Sequence, residues 1–326
     1  MRTRIAGTGS YLPDKILTNF DLEKMVDTTD EWIVSRSGIR ERRVAAAEQA
    51  TSDLATEAGR NALEMAAIGP EDLDLIIVAT LTPDHFFPST AGLVQRNLGA
   101  TRAAAFDLEA ACTGFIYALT VGDLFIRSGS FRTVLVIGAE VLTRFIDWED
   151  RNTCVLFGDG AGAAVMKPSD DPGQGILSTH LHSDGRLADM LMAPGGASRM
   201  PPTHEVVEKK LNTVKMRGNE VFKIAVTKLS EVVDEVLQAN GLREDEIDFL
   251  VPHQANLRII QATARKLRMP MEKVIVTVDR HGNTSAASVP LALDEAVRGG
   301  RIKRGDRVLL EAFGGGLTWG AALVRW

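Results

Sequence analysis

Three side chains in this 326-residue sequence have the types that nucleophilic catalysis needs, and each stands where a strand-like run gives way to a turn or helix. Cys112, in Ala110-Ala111-Cys112-Thr113-Gly114-Phe115, opens a helix predicted over Thr113–Ser128. That helix is apolar nearly all round (Phe115, Ile116, Leu119, Val121, Leu124, Phe125 and Ile126), so it must be buried. A thiol at a buried helix N-terminus is expected to have a lowered pKa and to react as the thiolate. An inert buried cysteine fits the same position. His253, in Pro252-His253-Gln254-Ala255-Asn256, follows a strand and precedes a helix, which is where α/β proteins place function, although a structural histidine also fits. Asn283, in His281-Gly282-Asn283-Thr284-Ser285, stands at a tight turn where it could equally be an N-cap. Together the three could supply a nucleophile, a proton handler and a hydrogen-bond donor. Phe313-Gly314-Gly315-Gly316-Leu317 adds glycines that let backbone N–H groups approach a ligand. With the Cys112 amide, one of these could form an oxyanion hole for a thioester carbonyl, or the run could be a bare turn.

The elements that must position these residues alternate between strand and helix, which predicts an α/β fold with sheets covered on both faces. Strands are expected at Leu75–Thr80, Ala103–Leu108, Thr133–Gly138, Ile247–Val251, Val274–Val278 and Arg307–Glu311. The last three repeat the order and spacing of the first three. Each set is followed by a small-residue segment, Gly162–Val165 in one case and Gly320–Val324 in the other. The chain therefore divides into duplicated halves, 1–170 and 171–326, packed about a pseudo-twofold axis. On that axis Cys112 and Asn283 open equivalent helices and face one another, with His253 beside them. Between the halves, the polar stretch 198–217 reads as a surface excursion.

Composition narrows the function classes. A net charge of −6 argues against a general nucleic-acid surface. No apolar run approaches the roughly 20 residues that span a bilayer, and the first residues carry no signal-peptide core, so a cytoplasmic location is expected. Cys112 and Cys154 have no metal-like spacing and suggest no disulfide framework. Gly7-Thr8-Gly9 lacks the final glycine of a dinucleotide fingerprint, Leu12-Pro13 standing in its place, and Gly158–Gly162 lacks the Gly-Lys-Ser/Thr of a phosphate loop. His180 and His182 can share a strand face, but two ligands without a third make a weak metal site, and they are read as surface residues.

Taken together, the three segments resemble the thiolase superfamily, specifically the β-ketoacyl-ACP synthase III family. The resemblance runs end to end through Gly7–Pro13, Thr29–Ile33, Gly38–Arg42, Phe157–Gly162, Pro252–Ile259, His281–Ser288 and Phe313–Gly316. It implies a homodimer of five-layered α/β/α/β/α subunits, each thiolase-like and built from two duplicated halves. It makes Cys112 the acylated nucleophile, His253 and Asn283 the groups that assist decarboxylation, and the backbone amides of Cys112 and Gly315 the oxyanion donors. It implies that acyl-CoA acylates the cysteine, CoA leaves, and malonyl-ACP then decarboxylates to a carbanion that attacks the acyl group, with no cofactor or metal. Further roles follow from the resemblance. Trp32, Arg36, Arg151 and Asn219 would contact CoA. Leu142 and Phe157 would line the acyl pocket, with Phe86 or Phe87 entering from the partner subunit. Lys223, Arg258, Arg265 and Lys266 would dock the acidic acyl carrier protein. Bulk in the acyl pocket favours a short primer, although one methylene is worth only a few kcal/mol. Thr113 departs from the pattern, since the family often has a smaller residue there.

Neighbouring families fit less well. A biosynthetic thiolase would need a second cysteine near the last glycine loop, and Phe313–Trp319 has none. Elongating synthases use two histidines, and Asn283 stands in one of those places. A relative that loads aromatic or long acyl groups, or that performs plain acyl transfer, stays open. A non-catalytic acyl-CoA-binding scaffold would have no use for the cysteine.

Overall fold

A computed structural model describes residues 2–171 and 173–326. In chain order it forms β1 (Arg2–Tyr11), α1 (Asp30–Ser37), α2 (Thr51–Ala66), β2 (Leu75–Ala79), α3 (Thr90–Leu98), β3 (Ala104–Leu108), α4 (Gly114–Arg127), β4 (Val134–Glu140) and β5 (Gly160–Ser169). It continues through β6 (Gly175–Ser183), α5 (Gly218–Asn240), β7 (Phe249–Pro252), α6 (Leu257–Lys266), α7 (Ser288–Arg298), β8 (Arg307–Gly314) and β9 (Thr318–Arg325).

Two sheets result, and their strand orders match. The first runs β1-β5-β4-β2-β3, with β1, β5 and β4 antiparallel in turn and β4, β2 and β3 parallel. The second runs β6-β9-β8-β7 with the same sequence of directions. Its fifth place is where the predicted strand Val274–Val278 should lie, and here the structure differs. Only a single parallel bridge forms, Leu250 to Val274, and the chain turns into a short helix at Val278. Gln254 explains the difference. Its buried amide donates to the carbonyls of Pro252 (2.7 Å) and Ile275 (3.1 Å) and accepts from the N–H groups of Thr277 (2.8 Å) and Val278 (3.0 Å). One side chain thus satisfies the backbone groups that a ladder would otherwise pair.

α4 and α7 each contact both sheets, α2 and α3 cover the outer face of the first, and α5 covers the second with α6 packed against α5. This is the five-layered α/β/α/β/α arrangement. The all-round apolar character of α4 follows from its central place, where Phe115, Ile116 and Leu119 pack with Val289 and Leu293 of α7. β4 is buried at every position, as its run of β-branched residues requires. Helix ends follow local chemistry. Thr29 caps α1 by accepting from Trp32 N (3.1 Å), and Asn256 caps α6 by accepting from Arg258 N (2.8 Å). Among the described residues no helix is long and apolar enough to cross a membrane. The polar stretch after residue 197 contains a short helix, His204–Glu208, and a two-residue strand, Lys215–Met216.

Candidate active site

Cys112 lies in a single 3₁₀ turn, Ala111–Thr113, immediately before α4. The residue before it, Ala111, takes a left-handed φ of 45°, a conformation that non-glycine residues hold only when their surroundings impose it. Part of that imposition is visible. Thr318 Oγ1 donates to the Ala110 carbonyl (3.0 Å), and Thr113 Oγ1 donates to the Thr318 carbonyl (3.1 Å). The glycine loop presses on the turn from the other side. A Cβ at Gly314 would come within 2.6 Å of the Cys112 nitrogen, so only glycine allows this approach.

Cys112, His253 and Asn283 line one cavity of about 460 Å³. They are 6%, 7% and 7% exposed. Each is held by identifiable partners. His253 Nδ1 lies 2.6 Å from Ser288 Oγ, and its backbone N–H donates to the Glu311 carbonyl (2.8 Å). Asn283 is fixed by a parallel bridge to Phe157, with Asn283 N donating to Leu156 O (2.8 Å) and Gly158 N donating to Asn283 O (3.0 Å). Its side-chain oxygen accepts from Ser285 N (2.9 Å), so the oxygen faces the turn and the amide nitrogen is the free end.

The electrostatics correct one expectation. Burial pushes the Cys112 thiol up to about 12, the Ser285 hydroxyl opposing and Glu140 and Glu109 adding to the rise. The predicted lowering at a helix start does not hold, because the thiolate loses its hydration and feels two carboxylates. Burial also pushes His253 down to about 3, so this imidazole is neutral.

The same cavity is lined by Trp32, Arg36, Asn219, Phe157 and Arg258. Trp32 is flanked by two guanidinium groups, Arg36 at 4.8 Å and Arg151 at 5.2 Å from the ring centre. Arg151 itself does not line the cavity; it donates to Asp27 O (2.9 Å). Leu142 is not on the wall either, but is buried in the same core as Phe157 and Phe313. Phe87 is 86% exposed and Phe86 is 83% exposed, both away from this cavity. Of the four basic residues, Lys223, Arg258 and Arg265 are exposed, with Arg258 stacked over Phe222 at 5.1 Å. Lys266 differs: it is half-buried and bound to Asp234 (2.8 Å). On α6, Ile260 and Ala264 are buried, as is Leu267 just after it, while Leu257 is half-buried.

Against this geometry the comparisons are unambiguous. The chain matches the family model for 3-oxoacyl-[acyl-carrier-protein (ACP)] synthase III over residues 106–185 and the model for its C-terminal part over residues 237–326. It is 61% identical to β-ketoacyl-[acyl-carrier-protein] synthase III of Alkalilimnicola ehrlichii, the alignment covering 99% of each chain. The chain belongs to the β-ketoacyl-ACP synthase III family. The solved 3-oxoacyl-[acyl-carrier-protein] synthase III of Aquifex aeolicus superposes with a TM-score of 0.93 at 52% identity, covering 99% of this chain and 100% of that one. The priming β-ketosynthase of the R1128 polyketide pathway superposes at 0.91 with 38% identity, covering 99% and 96%.

Several residues of this synthase III site were not singled out in the sequence. Gln254 and Ser288 stood inside recognised motifs, yet only the fold shows one clamping a backbone and the other holding His253. Arg42 also stood inside a recognised motif, but the burial of its guanidinium, which donates to Leu17 O (3.2 Å), Asn19 Oδ1 (2.9 Å) and Val155 O (2.6 Å), left no signal, because charged residues are read as exposed. The reading of His180 and His182 as surface residues also needs correction. Both bond one carboxylate of α5, Glu235, at 2.9 and 2.6 Å, which ties β6 to the outer layer.

Proposed function

We propose that Cys112, His253 and Asn283 carry the family's condensation in this chain, joining a short acyl primer from CoA to malonyl-ACP. The carrying observation is that these three groups, from separate turns, share one cavity with Trp32 and Arg36. As a member of the family the chain is an acyltransferase, with the overall chemistry acyl-CoA plus malonyl-ACP giving β-ketoacyl-ACP, CoA and CO₂, the step that initiates fatty acid synthesis.

The residue roles follow from chemistry. Cys112 Sγ attacks the thioester carbon and CoA departs as the thiol. The carbonyl oxygen, which gains charge at that step, is held by the amides of Cys112 and Gly315. Malonyl-ACP then loses CO₂, and the enolate oxygen needs neutral donors. His253 suits this because burial keeps it uncharged. A Ser288 hydroxyl donating to Nδ1 would leave the proton on Nε2, and the free amide of Asn283 is a second donor. The carbanion attacks the acyl-cysteine, and Cys112 is released. Loss of CO₂ supplies the carbanion, so the scheme draws on no metal or cofactor.

Around this centre we assign Trp32, Arg36, Arg151 and Asn219 to CoA and Phe157 to the acyl pocket, with Leu142 behind it. Lys223, Arg258 and Arg265 take the acidic carrier protein, Lys266 contributing once it parts from Asp234. The high exposure of Phe87 supports its entry into the cavity of a partner subunit in a homodimer. The matching strand orders support the duplicated halves 1–170 and 171–326, and the two unpaired cysteines fit a cytoplasmic enzyme. The 61% relative favours primary synthesis over the specialised pathway named for the 38% structure.

The test is mass spectrometry after mixing with acetyl-CoA, followed by an acyl-CoA panel with malonyl-ACP in which CO₂ release is measured. An adduct on Cys112 and turnover with short primers are expected. Tight acyl-CoA binding without an adduct would instead indicate a scaffold.

A further inference from the structure

The two amides assigned to the oxyanion come from turns far apart in the sequence, and something must hold them at one separation. The Cys112 amide sits in the turn Ala111–Thr113, and the Gly315 amide sits in the tight connection between β8 and β9. Local preference fixes neither. Gly315 and Gly316 have no side chain to restrict them, and Ala111 is in a left-handed conformation that its surroundings must impose. The two turns do touch, since Gly314 lies against the Cys112 nitrogen, but contact alone does not aim an N–H group.

Thr318 supplies the link. It opens β9 opposite Gly314, and its Oγ1 lies 3.0 Å from Ala110 O and 3.1 Å from Gly315 O. One hydroxyl proton can serve two such carbonyls as a three-centre bond. Each carbonyl stands beside a donor. Ala110 O belongs to the peptide just ahead of the Cys112 amide, and the N–H of that same peptide, on Ala111, is held by Glu109 Oε1 (2.8 Å). Gly315 O belongs to the residue that carries the second amide. Thr113 seats the hydroxyl: its Oγ1 is 3.1 Å from Thr318 Oγ1 and donates to the Thr318 carbonyl (3.1 Å). Thr113 is fully buried, where a hydroxyl needs such partners. The residue that departs from the family pattern by its size thus brings a hydroxyl to this clasp.

We propose that Thr318 is a positioning residue for the oxyanion hole, its hydroxyl tying the peptide ahead of Cys112 to Gly315. The inference rests on the amides of Cys112 and Gly315 being the oxyanion donors. Thr318 does not line the cavity, so it acts through those donors and not on substrate. It keeps two N–H groups aimed at one oxygen before that oxygen gains charge, so nothing has to reorganise as the charge develops. The charge develops twice, when Cys112 attacks the CoA thioester and when the carbanion attacks the acyl-cysteine. Loss of the hydroxyl should therefore slow both steps, whereas loss of His253 or Asn283 should slow condensation alone. Binding of acyl-CoA, which draws on Trp32 and Arg36, should not change.

The experiment is single-turnover acylation of the full chain by acetyl-CoA, read by mass spectrometry over a range of acetyl-CoA concentrations, on wild type, T318V, T318A and T318S. T318V and T318A should lower the maximal rate by about 10-fold, less than the loss of a whole donor, with the half-saturating concentration within about twofold of wild type. T318S keeps the hydroxyl and should recover most of that rate. Condensation, followed as β-ketoacyl-ACP formed, should fall in T318V by a similar factor. A wild-type maximal rate in T318V, or equal losses in T318S and T318A, would overturn the clasp and leave Thr318 as a packing residue. So would a raised half-saturating concentration with the maximal rate kept. The comparison of T318A with T318S decides the matter if T318V does not fold. Absence of any wild-type adduct on Cys112 would instead defeat the proposed function itself.

Discussion

The turns Ala111–Thr113 and Ser285–Ala287 each lead into a helix packed between the two sheets, and their differences show how two similar turns serve different tasks. Both begin with a left-handed residue, Ala111 at 45° and Ser285 at 48°, and both lead into a helix of the central layer. The first carries a sulfur at its middle position, Cys112, where the second has Ala286. The second supplies polarity instead: Asn283 just before it, Ser285 at its start and Ser288 just after. Equivalence therefore pairs Cys112 with Ala286 and not with Asn283. Two sheets of matching strand order hold an asymmetric site because each turn presents a different chemistry to its surroundings.

The largest effect expected from breaking this contrast comes from removing the sulfur. Cys112→Ala should abolish the acetyl adduct and condensation, and adding Ala286→Cys should not restore the adduct, because the second turn lacks the Gly314 contact and the cavity position. Intact-mass measurement after acetyl-CoA treatment checks both. Next come the polar partners. His253→Ala or Asn283→Ala should lower condensation by about 10²–10³-fold, in the range of other lost oxyanion donors, while the Cys112 adduct still forms. Equal loss of both steps would mean that His253 serves the sulfur as well.

A smaller effect is expected from crowding the first turn. Gly314→Ala puts a methyl group 2.6 Å from the Cys112 nitrogen and should cost about 1–3 kcal/mol of stability, measurable by urea unfolding, and slow acylation. The smallest is a pH slope. Glu311, on β8 opposite Pro252, is fully buried with neither oxygen hydrogen-bonded among the described residues, and burial pushes it up to about 8, opposed by the Thr263 hydroxyl. Its folded-state pKa lies above its unfolded value, so its contribution is full below about pH 4.5 and is lost as pH rises through 8. Glu311→Gln should therefore flatten the decline of Tm between pH 5 and 8. His253 at about 3 and His281 at about 4 are depressed by burial and act with opposite sign, their contribution being lost as pH falls below about 6.5.

Much of this arrangement was legible beforehand. β2, β3, β4, β7 and β8 lie within a residue or two of their predicted positions, with further extension at the C-terminal ends of β4 and β8, because largely apolar runs leave little freedom. The apolar girth of α4 announced its central place. The strand at Val274–Val278 failed because Gln254, a residue distant from that segment in sequence, took over its hydrogen bonds. The state of the Cys112 thiol was misjudged because helix position is local, whereas desolvation depends on everything that surrounds a group.

The sequence by itself determined the layers, the repeated order of elements and the motifs that bear the cysteine, histidine and asparagine, since periodicity and turn chemistry act over a few residues. Only the tertiary structure decided which atoms of those motifs are free, which carboxylates are buried beside the sulfur, and which expected wall residues stand behind the cavity or outside it. Most of those outcomes depend on contacts between segments that only the fold brings together, and no local pattern encodes them.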